Sequence, residues 1–156
     1  MTLPETETLD LERDGAFLHV TLNRPDTRNA MSLGMVDELM QVFDVVDDDE
    51  SIRGLVLRGA GGHFCAGGDI KDMSGARQKA QEGDTDAFFH LNRRFGEMIT
   101  RANELPAVVI AVLEGAVMGG GFGLACVTDI ALADRNAKCG LPETSLGVIP
   151  AQIAPF

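Results

Sequence analysis

The stretch "GAVMGGGFGLACVTD", Gly115 to Asp129, decides how the rest of the chain is read. Three consecutive glycines, Gly119, Gly120 and Gly121, interrupt an apolar segment. Each costs about 0.5–1 kcal/mol against alanine inside a helix or strand, so the triplet must answer a need for bare backbone. It follows the apolar run "AVVIAVL" and precedes a second apolar run, Phe122 to Val127, that reads as a helix. In open α/β sheets ligands collect at the carboxyl ends of strands. The first N–H groups of a helix lack partners and carry the positive end of its dipole. That combination suits an anion, or an oxygen becoming one. Tight turns and close packing of helix on strand are the plainer use of the same glycines.

A second glycine loop lies upstream. The short apolar strand in "IRGLVLRG" runs into "GAGGHFCAGGDIKDM". Both loops follow a buried strand, so both can face one site. Neither contains G-x-G-x-x-G, G-K-[ST] or G-x-S-x-G, which sets aside a dinucleotide fingerprint, a nucleotide P-loop and a nucleophile elbow.

Around these loops the chain alternates strand and helix. "LDLERDGAFLHVTLNR" reads as a hairpin turning at Asp14-Gly15. Ser32 reads as an N-cap for a helix whose Met35, Leu39, Val42, Phe43 and Val46 recur at helical spacing. The four carboxylates Asp47 to Glu50 should stop that helix, because they repel one another at its negative end. Asp69 can cap a helix starting near Ile70. Gly75 to Asp86 is polar without an apolar period and reads as a surface loop or an irregular helix. A further helix spans roughly Asp86 to Glu104, with Phe88, Leu91, Phe95, Met98, Ile99 and Ala102 on one face and Pro106 ending it. "DIALA" is another short strand. The pattern is that of an α/β protein with one domain over residues 1–156.

Composition narrows the function. Of 156 residues, 45% are hydrophobic and 24% charged, in the ordinary globular range. The formal net charge of −11 repels nucleic acid and anionic membrane, so neither is an expected partner. Three cysteines without a C-x-x-C pair form neither a disulfide framework nor a zinc pattern. The acidic start "MTLPETETLD" is not a signal peptide, and no apolar run reaches the ~18 residues of a membrane helix. These features point to the cytoplasm. "GVIPAQIAPF" ends the sequence on an apolar phrase, which leads us to expect a longer protein.

Few groups can move a proton. His19 lies on a strand and His90 on a helix, and both read as structural or exposed; His63 adjoins the first glycine loop. Histidine pairs with metal spacing are absent, and no metal site is expected. Glu143, in "LPETSLG", follows a proline within an apolar neighbourhood. A carboxylate held there has its charged form disfavoured, as an acid–base group requires. The competing reading is a carboxylate in a first helical turn, where Pro142 and Glu143 also fit.

Four phrases, in order, resemble the crotonase or enoyl-CoA hydratase/isomerase superfamily: "LNRPDTRNAMS", "GLVLRGAGGHFCAGGDIKDM", "LPAVVIAVLEGAVMGGGFGLACVTDIALA" and "KCGLPETSLGVIP". Together they cover most of the chain. The resemblance implies a superhelix of repeated ββα units and an acyl-CoA thioester substrate, with coenzyme A part of that substrate and no separate cofactor. It also implies a homotrimer or dimer of trimers, and a C-terminal helical region beyond this sequence. By motif it assigns Ala66 and Gly120 as amide donors to the thioester oxygen and Glu143 as acid–base. It places Ala66, Gly67, Gly68, Asp69 and Ile70 against the adenine end of CoA, and Arg24 and Arg28 in the loop approaching it.

One departure matters. Well-known hydratases of the family carry a second glutamate where this chain has Gly123. The tail "LGVIPAQIAPF" resembles the branch acting on branched glutaconyl-CoA thioesters. The "ETSLG" phrase also resembles single-glutamate Δ3,Δ2-enoyl-CoA isomerases. Three readings follow: an enoyl-CoA hydratase, an isomerase using the same residues, and a non-catalytic acyl-CoA-binding protein.

Overall fold

The computed structural model describes residues 2–147 and 149–156. Alternating apolar and charged residues form the expected hairpin. Strand β1 (Leu9–Asp14) pairs antiparallel with β2 (Phe17–Leu22), with Leu9 opposite Leu22 and Asp14 opposite Phe17. The two connecting residues are Gly15 and Ala16, with Gly15 at φ 56°, so the turn sits one residue later than the Asp14-Gly15 reading. Strands β3 (Gly54–Gly59), β4 (Val108–Leu113) and β6 (Ile130–Ala133) extend the sheet in parallel, in the order β1-β2-β3-β4-β6. Strand β5 (Ala116–Met118) pairs in parallel with β7 (Lys138–Gly140) in a second layer.

That second layer continues beyond its two strands. Cys65 bridges to Val117 and Gly68 to Met31, both in parallel sense. Each pass of the chain therefore lays one strand in the large sheet, one short extended piece in the second layer, and then a helix. This is the repeated ββα path implied by the resemblance. The helices are α1 (Leu33–Asp48), α2 (Ile70–Gln81), α3 (Ala87–Glu104) and α4 (Gly120–Cys126), followed by a short 3-10 turn, Pro142–Leu146.

Burial follows the sequence pattern. Leu18, Val20 and Leu22 of β2 and Leu55 and Leu57 of β3 are fully buried, as are Met35, Leu39, Val42 and Phe43 of α1 and Met98 and Ile99 of α3. Ser32 caps α1 by accepting from the Met35 N–H at 3.2 Å. One expectation needs correcting, and one pair of alternatives is decided. Helix α1 continues through Asp47 and Asp48, because Arg101 of α3 donates to Asp44 and Asp47 at 2.9 and 2.7 Å and offsets the local negative charge. The segment after Gly75 is helical as far as Gln81. It shows no apolar period because only Ala76 of that helix is buried, and a helix lying on the surface needs no wide apolar stripe. No helix among the described residues is long and apolar enough to cross a membrane.

Candidate active site

The second layer determines which backbone groups meet. At the end of each of its pieces the chain turns into a helix, with Ser32, Asp69, Gly119 and Leu141 as the successive N-terminal caps. Four helix starts from consecutive passes thus lie side by side. A cavity of about 400 Å³ opens over them, with Met31, Gly68, Asp69, Gly120 and Glu143 in its wall. Helix α3 contributes Phe88, Leu91 and Phe95, and the tail contributes Ile149 and Ile153.

Glu143 is held in the first turn of the Pro142–Leu146 segment, so the first-turn placement that competed with a catalytic reading is present, but its side chain makes no capping bond. It reaches the cavity instead. Glu143 Oε2 is buried and has no hydrogen-bond partner among the described residues. Leaving a buried carboxylate oxygen unpaired is costly, and such an exception calls for an explanation such as a catalytic role. The carboxylate also lies over the bare Cα of Gly119: a methyl group there would come within 2.5 Å of Glu143 Oε1.

The two glycine turns supply amides. Gly120 is the first residue of α4, so its N–H has no partner within the helix. In the other turn the sequence assignment fails. The Ala66 N–H donates to the Arg28 carbonyl at 3.0 Å, and Ala66 is absent from the cavity wall. The available amide belongs to Gly68. The Gly67 carbonyl accepts from the Met31 N–H at 2.8 Å. In a trans peptide the N–H of the same plane points the opposite way, so the Gly68 N–H faces away from Met31. It has no partner among the described residues, and Gly68 lines the cavity. Gly67 sits at φ 108°, which turns the backbone between these two amides.

The remaining expected residues divide. Asp69 is buried and lines the cavity. Its carboxylate accepts from the Lys71 N–H at 2.8 Å, capping α2, and pairs with Arg24 Nη2 at 2.8 Å. Burial opposes the charged form of Asp69, but the Arg24 and Lys71 hydrogen bonds outweigh it and hold the carboxyl below its usual value of 3.8. Arg24 is therefore committed to Asp69 and to the Ala30 carbonyl, which corrects its assignment as a free positive charge. Arg28 is exposed and makes no ion pair among the described residues. Ile70 is 77% exposed and lies outside the cavity wall. His63 Nδ1 accepts from the Ala116 N–H at 3.0 Å, a structural role. Cys65 is buried, whereas Cys126 and Cys139 are exposed. Gly123, where a second acid would stand, has its side-chain space filled: a Cβ there would lie 2.8 Å from Ile153 Cγ1.

Sequence reading missed Asn29. It is fully buried at φ 57°; its Nδ2 donates to the Ala60 and His63 carbonyls at 2.9 and 2.7 Å, and its Oδ1 accepts from the Arg24 N–H at 2.9 Å. An asparagine tolerates positive φ better than most residues, which is the one signal a loop asparagine before an apolar run offers.

A family model described as enoyl-CoA hydratase/isomerase matches residues 12–156. Enoyl-CoA hydratase EchA19 of Mycobacterium tuberculosis is 39% identical over 142 residues, which is 90% of this chain and 51% of that protein. Among solved structures, AtuE of Pseudomonas aeruginosa superposes with a TM-score of 0.91 at 60% identity. An enoyl-CoA hydratase/isomerase from Marinobacter aquaeolei gives 0.90 at 67% identity. Each of these two alignments covers 96% of this chain and 57% of the other. The chain thus spans about half the length of the relatives it matches.

Proposed function

The chain belongs to the enoyl-CoA hydratase/isomerase family, and on that premise we propose that it carries the catalytic groups of an enoyl-CoA hydratase. The observation that carries this reading is the unpaired, buried Glu143 Oε2 in a cavity whose wall also holds Gly68 and Gly120. The thioester carbonyl oxygen sits between the Gly68 and Gly120 amides. Glu143 takes a proton from water as the water oxygen bonds to Cβ. The π electrons move onto the thioester oxygen, and the two amides stabilise the resulting enolate. Glu143 then returns its proton to Cα, so the C=C has gained the elements of one water. The exposed Arg28, rather than Arg24, is the cation assigned to the CoA phosphates. A branched or glutaconyl-type acyl group is the substrate class suggested by the "LGVIPAQIAPF" tail.

Isomerisation is the second reading, favoured by the filled space at Gly123. A lone carboxylate can take a proton from one carbon and return it to another, shifting the double bond without water. Turnover of enoyl-CoA in ¹⁸O-labelled water separates the two, because only hydration places the label in a hydroxyacyl-CoA product. Glu143→Gln should lower kcat by about 10²–10⁴-fold. Undiminished turnover in that variant would remove Glu143 from the reaction, and acyl-CoA binding without turnover on any enoyl-CoA would indicate a binding protein.

A further inference from the structure

The Gly67–Gly68 peptide joins a buried residue to an exposed one. It follows a residue at φ 108° and lies on the surface side of the second layer, where Gly68 itself is exposed. Its orientation rests on two backbone bonds, Met31 N–H to the Gly67 carbonyl at 2.8 Å and Asp69 N–H to the Met31 carbonyl at 3.0 Å, with the buried Cys65 thiol also donating to the Gly67 carbonyl at 3.6 Å.

Arg24 spans these bonds. One guanidinium nitrogen donates to the Ala30 carbonyl, adjacent to Met31, and another pairs with Asp69, adjacent to Gly68, at 2.8 Å. The side chains are 23% and 7% exposed, so solvent screens the pair little. Arg24 is itself anchored, since its backbone N–H donates to Asn29 Oδ1 and Asn29 reaches on to the Ala60 and His63 carbonyls. The guanidinium fork thus ties the strand carrying Met31 to the turn carrying Gly68. Arginine can bridge two acceptors in a fixed plane, which a lysine ammonium does less well.

We propose that Arg24 and Asp69 are a positioning pair that aims the Gly68 amide at the thioester oxygen. This rests on the oxyanion role assigned to Gly68 above. The pair touches no reacting atom and acts only through the peptide it holds. Its loss should therefore weaken carbonyl polarisation and slow chemistry more than it weakens binding of the CoA moiety.

The test follows the C=O stretch of a saturated acyl-CoA bound to the protein, which falls when donors polarise the carbonyl, together with kcat, KM and thermal stability. The variants are Arg24→Met, Arg24→Lys and Asp69→Asn; the last keeps an oxygen to accept from the Lys71 N–H. The proposal expects a lowered stretch in the wild type, a stretch returned most of the way to its solution value in Arg24→Met and Asp69→Asn, and an intermediate one in Arg24→Lys. It also expects kcat to drop about tenfold or more in the first two variants, short of the ~10²–10³ of a lost donor, with KM nearly unchanged. If either Arg24→Met or Asp69→Asn folds and keeps the wild-type stretch and kcat while only melting earlier, the pair is merely structural and the proposal fails. If the saturated wild type shows no lowering at all, it is the oxyanion reading of Gly68 that falls, and the positioning role with it.

Discussion

The two glycine turns look alike in sequence and are bare for different reasons. In the Gly119–Gly121 turn every glycine is packed shut. A methyl group would strike Glu143 Oε1 at Gly119, the Phe95 ring at Gly120, and the side chain and carbonyl of Cys65 at Gly121, all at 2.5–2.9 Å. In the Gly67–Gly68 turn the space is open: the nearest non-local atom to a Cβ is the Met118 carbonyl oxygen at 3.4 Å for Gly67 and Met73 Sδ at 3.8 Å for Gly68. What that turn needs is the positive φ of Gly67, which reverses the peptide that follows. One turn is shaped by contact throughout, with a positive φ at Gly119 as well, and the other by conformation alone, yet each places a glycine, Gly120 or Gly68, in the wall of the same cavity.

Four substitutions can break or sharpen that contrast, the largest effect first. Gly119→Ala adds a methyl where Glu143 lies and does so at φ 52°, so kcat should fall by at least about 10²-fold as the carboxylate is displaced. Steady-state assay checks this, and near-normal kcat would show that Glu143 does not depend on Gly119. Gly121→Ala meets Cys65 Cβ at 2.5 Å and the Cys65 carbonyl oxygen at 2.9 Å. Overpacking of this kind costs about 1–3 kcal/mol, to be read as a lowered midpoint in denaturant. Asp69→Asn should lower thermal stability near neutral pH. The folded pKa of Asp69 lies below 3.8, so its contribution is complete above that value and is lost as pH falls below it. The gap in Tm between wild type and variant should therefore close in acid. Gly68→Ala has open space and no positive φ, so kcat/KM should stay within about twofold of wild type. A large loss there would mean that the two turns are constrained in the same way.

How far the sequence could be read follows from the same contrast. Local chemistry was legible: the hairpin, the Ser32 cap, the apolar stripe of α1 and the buried Met98, Ile99 and Ala102 of α3 all follow from spacing, whereas Phe88 on the same expected face is exposed. Glu143 was legible as a carboxylate after a proline in apolar surroundings, although its residues alone favoured a place in a first helical turn. The amide of the first turn was not legible. Whether Ala66 or Gly68 faces the cavity depends on one torsion at Gly67 and on bonds to Arg28 and Met31, nearly forty residues away in the chain. Arg24 misled for a related reason. A charge in a loop looks free until the fold brings its partner Asp69 alongside. Helix α2 was legible at its start, where Asp69 caps it, but not in its extent, because its surface position leaves almost no apolar signature; the extension of α1 through Asp48 depends on Arg101 of another helix.

The central claim is that the amides of Gly68 and Gly120 share one thioester oxygen while Glu143 moves the proton. A crystal structure with a bound, unreactive acyl-CoA tests it most directly. The account predicts the thioester oxygen within about 2.7–3.1 Å of both amide nitrogens, with the Glu143 carboxylate facing Cα and Cβ. A thioester oxygen bonded to neither amide, or an acyl chain lying outside the cavity that Glu143 lines, would contradict it.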